Sequence, residues 1–287
     1  MKDPLVSIIV LSRNSSATIE KCLDALTRQT YRPTEIIVVD NNSTDGTREL
    51  ASKFGVRVIV AGPERCAQIN RGVSNAKGEF VYFTGADLVP DLDYVEKAVK
   101  KSIGDNLDAI YTSTVTAPDT QYWARVKGAE RACYVGDSLH EAARFMRRDV
   151  FQKVGGIDEN LFAAGEELDL QNRLDMAGFK TGKIDGVETH LDEATTLQEI
   201  FWKYCYYGKH IMKYVRKNPP YRLKQMLPIR RAYLAHSSTL LRSPKIFTGF
   251  LLYKAVQYGA TFCGIALSRL SDAGFRSSTG KKRSGPT

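Results

Sequence analysis

Residues 6–14 read VSIIVLSRN. A run as rich in β-branched residues as Val6–Leu11 predicts a strand buried on both faces of a parallel sheet. Asn14-Ser15-Ser16 then offers a helix cap, and Ile19, Cys22, Leu23 and Leu26 recur at helical spacing. Outward from this unit the pattern repeats. A strand over Glu35–Val39 is followed by a polar turn from Asp40 to Gly46 and a helix to Phe54. A strand over Val56–Ala61, a helix through Asn70 and Gly72 and a strand over Phe80–Phe83 come next. Strand–helix alternation at this spacing predicts βαβ units and a doubly wound α/β sheet.

Beyond residue 105 the rhythm loosens. Ala109–Val115 reads as a strand, Trp123–Val135 as a helix, Ala142–Met146 as a short strand, and a helix runs from about Glu166 to Met176. After Thr195 the chain reads as wholly helical. Pro219-Pro220 ends the first long helix there. The expected organisation is an α/β domain over 1–195, a basic aromatic helical region over 196–275, and a disordered tail over 276–287.

A chain of 287 residues, 43% hydrophobic and 25% charged, is long enough to bury a proper core. Disulfide miniproteins, collagen-like chains and wholly disordered chains are excluded. Five scattered cysteines without C-x-x-C argue against a zinc finger or a disulfide framework, and for a reduced, cytosol-facing setting. No signal peptide is read at the amino terminus. The net charge of +9 is unevenly spread. Residues 196–287 carry 17 Lys and Arg against Glu199 and Asp272, a net +15, while residues 1–195 carry a net −6. Half of the aromatic residues also lie in that last third. A nucleic-acid partner would account for such charge, but no nucleic-acid-binding motif accompanies it.

In an open α/β sheet, ligands bind beyond the carboxyl ends of the strands. Three polar clusters fall there: Ser12-Arg13-Asn14, Asp40-Asn41-Asn42 and Thr84-Gly85-Ala86-Asp87. Each alone is a turn or a helix cap. Three at successive strand ends point to a shared site. No G-x-G-x-x-G follows the first strand and no Walker A loop is present, so neither a dinucleotide-binding fold nor a P-loop is expected.

The segments VSIIVLSRN, EIIVVDNNSTDGT, GEFVYFTGAD and GGIDENLFAAGEELDLQNRLDMAGFKTG, over about residues 5–192, resemble the family 2 inverting glycosyltransferases of GT-A fold. The resemblance implies transfer of a sugar from a nucleotide-sugar, UDP- or GDP-linked, to an acceptor. It implies that Asp40 hydrogen-bonds the nucleotide base, that Ser12 and Asn14 line the same pocket, and that Arg65 lies near the base and phosphates. The family usually carries Asp-x-Asp after the fourth strand to hold Mg²⁺ or Mn²⁺ against the diphosphate. Here Gly85 replaces the first acid and Asp87 remains. A hard divalent ion bound largely by substrate phosphates can be held by one carboxylate. His190 matches a late family histidine near the metal, and its plainer reading is structural. Gly165-Glu166-Glu167 resembles the Gly-Glu-Asp motif whose second acid, here Glu167, is the general base. Glu166 and Asp169 read equally as first-turn acids favoured by the helix dipole. A base implies a hydroxyl acceptor, whereas a polyprenyl-phosphate acceptor would need none. A nucleotide-sugar-binding protein without transfer activity is a further alternative. A nucleotidyltransferase is disfavoured, because Ser12-Arg13-Asn14-Ser15 is not a Gly-rich basic loop.

Ile246–Leu267 is 22 residues with one charge, Lys254. That length can span a bilayer, but a central Lys costs about 2.5–3.5 kcal/mol there. Arg242, Lys245 and Arg269 flank it on both sides. An interfacial helix or shallow hairpin on an anionic membrane is expected, and a helical subdomain packed on the core is the plainer alternative. The expected setting is peripheral or monotopic, at the cytoplasmic face, with a lipid-linked or saccharide acceptor. Truncation near Thr196 is expected to leave a more soluble domain that still binds nucleotide.

Overall fold

The computed structural model describes residues 3–280 apart from 119–120, 135–136, 138, 163 and 228–229. The amino-terminal half alternates β1 (Val6–Ser12), α1 (Ile19–Thr27), β2 (Thr34–Asp40), α2 (Thr47–Ser52), β3 (Arg57–Val60), α3 (Glu64–Asn75) and β4 (Phe80–Gly85). There follow β5 (Leu88–Pro90), α4 (Tyr94–Gly104), β6 (Ala109–Thr116), α5 (Tyr122–Ala132), β7 (Ala143–Arg147), α6 (Arg148–Lys153), α7 (Glu166–Met176) and β8 (Thr181–His190). The eight strands form one sheet in the order β3-β2-β1-β4-β7-β6-β8-β5. Strands β1 to β4 are parallel, and β7 runs antiparallel to both β4 and β6. All seven residues of β1 are buried, because helices cover both faces of the sheet. Ile8 and Val10 enter one apolar layer, Ile9 and Leu11 the other.

Strand limits move by one or two residues from those the pattern predicts. Helix α5 ends at Ala132, and Val135, the expected end, lies outside the described residues. Two strands have no such forecast. β5 has only three residues. β8 reads TGKIDGVETH, and its fully inward positions are Ile184, Gly186 and Glu188, so the alternation is present without an apolar face to reveal it.

The carboxyl-terminal third is helical: α8 (Leu197–Lys217), α9 (Pro219–Met226), α10 (Arg231–Ala235), α11 (Ser237–Leu241) and α12 (Pro244–Gly280). Thr196 and Glu199 close a capping box at the start of α8. Because α12 continues to Gly280, the tail expected from residue 276 is helical for its first five residues, and 281–287 lie outside the described residues. Helices α8 and α12 cross where two glycines remove side chains. A Cβ at Gly208 would run into the Thr261 carbonyl, and one at Gly264 into that of Cys205. A third apolar cluster joins Val126 and Cys133 of the α5 segment to Ile200, Tyr233, Leu240, Phe250 and Tyr253.

Lys254, the charge that interrupts the apolar stretch, is buried here rather than facing outward. Its ammonium lies 2.9 Å from Glu130 on α5 and beneath the rings of Tyr233 and Tyr258. A chain cut at Thr196 would expose Val126 and Cys133 and strip Glu130 of this partner. The expectation of a well-behaved truncated domain is therefore corrected: residues 196–270 cover α5. The opposite face of α12 stays apolar and exposed at Leu251, Leu252, Phe262, Leu267 and Leu270. By length and composition alone, Pro244–Leu270 is sufficient to cross a membrane.

Candidate active site

Sheet register sets the first half of the site. Ser12 pairs with Asp40 and Leu11 with Gly85, so the ends of β1, β2 and β4 meet. They open into a cleft of about 740 Å³ lined by Ser12, Arg13, Asn14, Lys21, Arg65, Gln68 and Asp87. Asp40 is at its back, fully buried and outside the lining. Its carboxylate accepts from Ser12 Oγ (3.0 Å), from Ser43 N (2.9 Å) and from Ser43 Oγ. Ser43 Oγ in turn accepts from Asn14 N at 2.8 Å, while Asn14 Oδ1 accepts from Thr44 N at 3.0 Å. Asn14 sits at φ +48°, a conformation asparagine tolerates better than most residues. In this geometry both Asp40 oxygens accept hydrogen bonds from Ser12 and Ser43. It ties the turn after β2 to the turn after β1 and so shapes the wall that Ser12 and Asn14 present.

The second half is a chain of buried and half-buried charges. Arg65 on α3 ion-pairs with Glu167 and lies 3.3 Å from Glu166. Arg144 on β7 joins Glu167 (Nε, 3.2 Å) to Glu188 on β8 (Nη1, 2.7 Å). Glu188 also accepts from the Tyr82 and Thr84 hydroxyls, both at 2.5 Å. Burial pushes the Glu167 carboxyl up, but Arg144 and Arg65 outweigh it and hold the group below the ordinary carboxylate range. Glu166 goes the other way. Burial exceeds the pull of Arg65, Glu167 adds repulsion, and its carboxyl is pushed up to about 7. Asp169 belongs to neither group. It is fully buried against Arg173 (2.8 Å), Lys217 (3.0 Å) and Asn218, and so fastens α7 to the end of α8.

The environment of Glu166 has a measurable consequence. Below pH 5 its native carboxyl is neutral, as glutamine is, so Glu166→Gln is expected to leave Tm unchanged. As pH rises through 7, the native carboxyl ionises beside Glu167 and the stability held by its neutral form is lost. The variant has nothing to lose. Its Tm is expected to move above that of the parent between pH 5 and 8 in thermal scans, and a pH-independent difference would contradict this environment.

Asp87 and His190 face each other across the join of β4, β5 and β8, where Leu88 pairs with His190. His190 Nε2 lies 3.4 Å from Asp87 Oδ2, and its buried Nδ1 has no partner. Burial, against the opposing pull of Glu193 and with help from nearby Arg131, Lys203 and Arg144, holds the imidazole down at about 3, so it is neutral near pH 7. A neutral imidazole beside a carboxylate is a donor set that fits a divalent ion completed by phosphate oxygens and water. No cluster of three such ligands exists among the described residues. Gly85 has its own packing reason: a Cβ there would strike Asp87 Oδ1, so the missing first acid leaves room for the second to fold back.

Arg65, Gly85 and Asp87 also line a second cavity of about 920 Å³, which Glu167 and His190 share and which runs out between α8, α9 and α12. The family model of glycosyl transferase family 2 matches residues 7–155. The chain belongs to this family. Among its relatives, this family 2 glycosyltransferase is 26% identical over 257 residues to the succinoglycan biosynthesis protein ExoA of Rhizobium meliloti, covering 81% of this chain and 77% of that one. It is 27% identical to the glycosyltransferase AglE of Haloferax volcanii, over 57% of this chain and 59% of that one. Among solved structures it superimposes on the Pyrobaculum calidifontis mannosyltransferase PcManGT, in complex with GDP-Man and Mn²⁺. That match has a TM-score of 0.67 at 18% identity and covers 92% of this chain and 88% of the other. Glucosyl-3-phosphoglycerate synthase of Mycobacterium tuberculosis, with Mn²⁺ and UDP, gives 0.54 at 19% identity over 73% and 79%. These likenesses establish the GT-A fold.

The fold of this glycosyltransferase brings Ser12, Asn14, Arg65, Asp87, Glu167 and His190 to two adjoining pockets, and sets Asp40 behind the first. Arg144 and Glu188 are site residues that the sequence pattern did not single out. Glu188 had a usable signal, since a strand ending at His190 puts residue 188 on the same face. Arg144 had none, because its role depends on β7 inserting antiparallel between β4 and β6.

Proposed function

We propose that this family 2 enzyme moves a sugar, with inversion and with help from Mn²⁺ or Mg²⁺, from a UDP- or GDP-sugar to a hydroxyl of a lipid-linked saccharide at a membrane surface. The observation that carries the reading is the sharing of Arg65, Gly85 and Asp87 by the two pockets. A donor in the Ser12–Asn14 cleft would have its diphosphate at Asp87 and His190 and its anomeric carbon towards Glu167. The ion, when bound, would neutralise charge developing on the leaving diphosphate. Arg65 is placed to take part in this step. An incoming diphosphate competes with Glu166 and Glu167 for its guanidinium, and a Glu167 carboxylate relieved of one cation becomes a stronger base. Glu167 then accepts the proton of the acceptor hydroxyl as its oxygen attacks opposite the leaving group. The Asp40 contact to the base is proposed in indirect form, through the Ser12 and Asn14 wall that it holds. Placement at the cytoplasmic face of a membrane is part of the same reading, supported by the exposed apolar face of α12 and the +15 of residues 196–287.

The test is transfer from a panel of radiolabelled UDP- and GDP-sugars to a membrane lipid extract in Mn²⁺. Label is expected in the organic phase, and mild acid is expected to release it as part of an oligosaccharide, because the new glycosidic bond survives where the sugar–phosphate bond does not. Release of the label as a free monosaccharide would instead favour a polyprenyl-phosphate acceptor. Binding of nucleotide-sugar without label in any product would favour a binding protein.

A further inference from the structure

Much of the larger cavity is not used by the chemistry proposed above. Its outer wall is largely apolar, built from Ile211 and Val215 on α8, Met226 and Leu227 at the end of α9, and Phe262 and Ile265 on α12. Gln225, Gln257 and Thr261 add a few polar groups to it, but most of this wall suits hydrocarbon better than the hydroxyls of a sugar chain. Phe262 is also 71% exposed, and by helical spacing it shares a face with exposed Leu251. It therefore connects the cavity wall to the outward apolar face of α12.

The same cavity is lined by four cations in addition to Arg65 and Arg144. Lys127 is matched by Glu130 (2.8 Å) and Arg131 by Glu193 (2.7 Å). Lys203 and Arg230 form no ion pair among the described residues. Arg230 stacks over the Tyr134 ring at 5.2 Å and donates to its hydroxyl at 2.7 Å. Two uncompensated cations in a cavity with an apolar outer wall fit a ligand that is anionic at one point and hydrocarbon beyond it.

We propose that this cavity holds the acceptor by its lipid, with a hydrocarbon chain along the α8–α9–α12 wall and the phosphate or diphosphate linking chain to saccharide at Lys203 and Arg230. The site rests on the transferase reading and says what carries the acceptor hydroxyl to Glu167. The mouth at Phe262 lets the chain pass between the bilayer and the cavity without crossing water.

Calorimetric titration of the full chain with farnesyl phosphate, below its micelle concentration, tests this. Saturable binding is expected, at least about tenfold tighter than for farnesol or inorganic phosphate. Lys203→Gln is expected to weaken farnesyl phosphate and leave farnesol unchanged. Phe262→Ser is expected to weaken both. Both positions are exposed, so both variants should keep the parent Tm. The proposal is overturned if inorganic phosphate binds as tightly as farnesyl phosphate, or if both variants bind it like the parent. It is overturned in favour of a bilayer-lipid site if dihexanoyl phosphatidylglycerol competes equally. Lys203-dependent binding of farnesyl phosphate in a chain that takes no nucleotide-sugar would keep the lipid site and overturn the transferase reading.

Discussion

Glu167→Gln is expected to slow sugar transfer by about 10²–10⁴-fold, the usual cost of a lost general base, with nucleotide-sugar affinity nearly unchanged. The substitution keeps the shape of the side chain and its hydrogen bonds to Arg65 and Arg144 in part, and removes the basicity. Initial rates at saturating donor, read beside a binding isotherm, separate the two quantities. Near-normal turnover would move the base to Glu166, whose carboxyl adjoins the same Arg65. It would not move it to Asp169. That carboxylate is fully buried with Lys217 and Asn218, and its loss would unfasten α7 from α8.

Asp87→Ala is expected to abolish the Mn²⁺-dependent part of nucleotide-sugar binding while the fold persists. Asp87 is about one-third exposed, and its close partner among the described residues is the neutral His190 imidazole, so its removal leaves no buried charge stranded. With two protein ligands at hand, losing the sole carboxylate should cost at least the roughly 10–100-fold that even an indirect partner of a metal is worth. Thermal shift with nucleotide-sugar, in Mn²⁺ and in EDTA, reads this directly. The parent should show a larger shift in Mn²⁺, and the variant the same small shift in both. An undiminished Mn²⁺ effect in the variant would remove Asp87 from the metal site.

The sheet is legible in the sequence where burial on both faces writes a continuous apolar run, as at Val6–Leu11. It fades where a strand carries chemistry, because β8 spends its inward positions on Gly186 and Glu188. The same holds within the site. Glu167 and Asp87 stand at motif positions whose spacing is local, so their roles can be assigned along the chain. The Arg65–Glu167–Arg144–Glu188 chain joins α3, α7, β7 and β8, and no linear pattern shows it. Asp40 illustrates the limit of a motif, since its place in sequence says which turn it serves but not that Ser12 and Ser43 occupy both its oxygens. Lys254 shows a second limit. Composition presents it as a costly charge in an apolar helix, and only the fold supplies Glu130 to meet it.

The most direct measurement is calorimetric titration of the parent chain with UDP- and GDP-sugars, UMP and GMP, in Mn²⁺ and in EDTA. One nucleotide-sugar is expected to bind with unit stoichiometry, more weakly in EDTA, and well above its own nucleoside monophosphate, because the diphosphate meets Asp87, His190 and Arg65. Binding of the monophosphate as tightly as the nucleotide-sugar, with no effect of Mn²⁺, would contradict the joined cleft and cavity as a donor site.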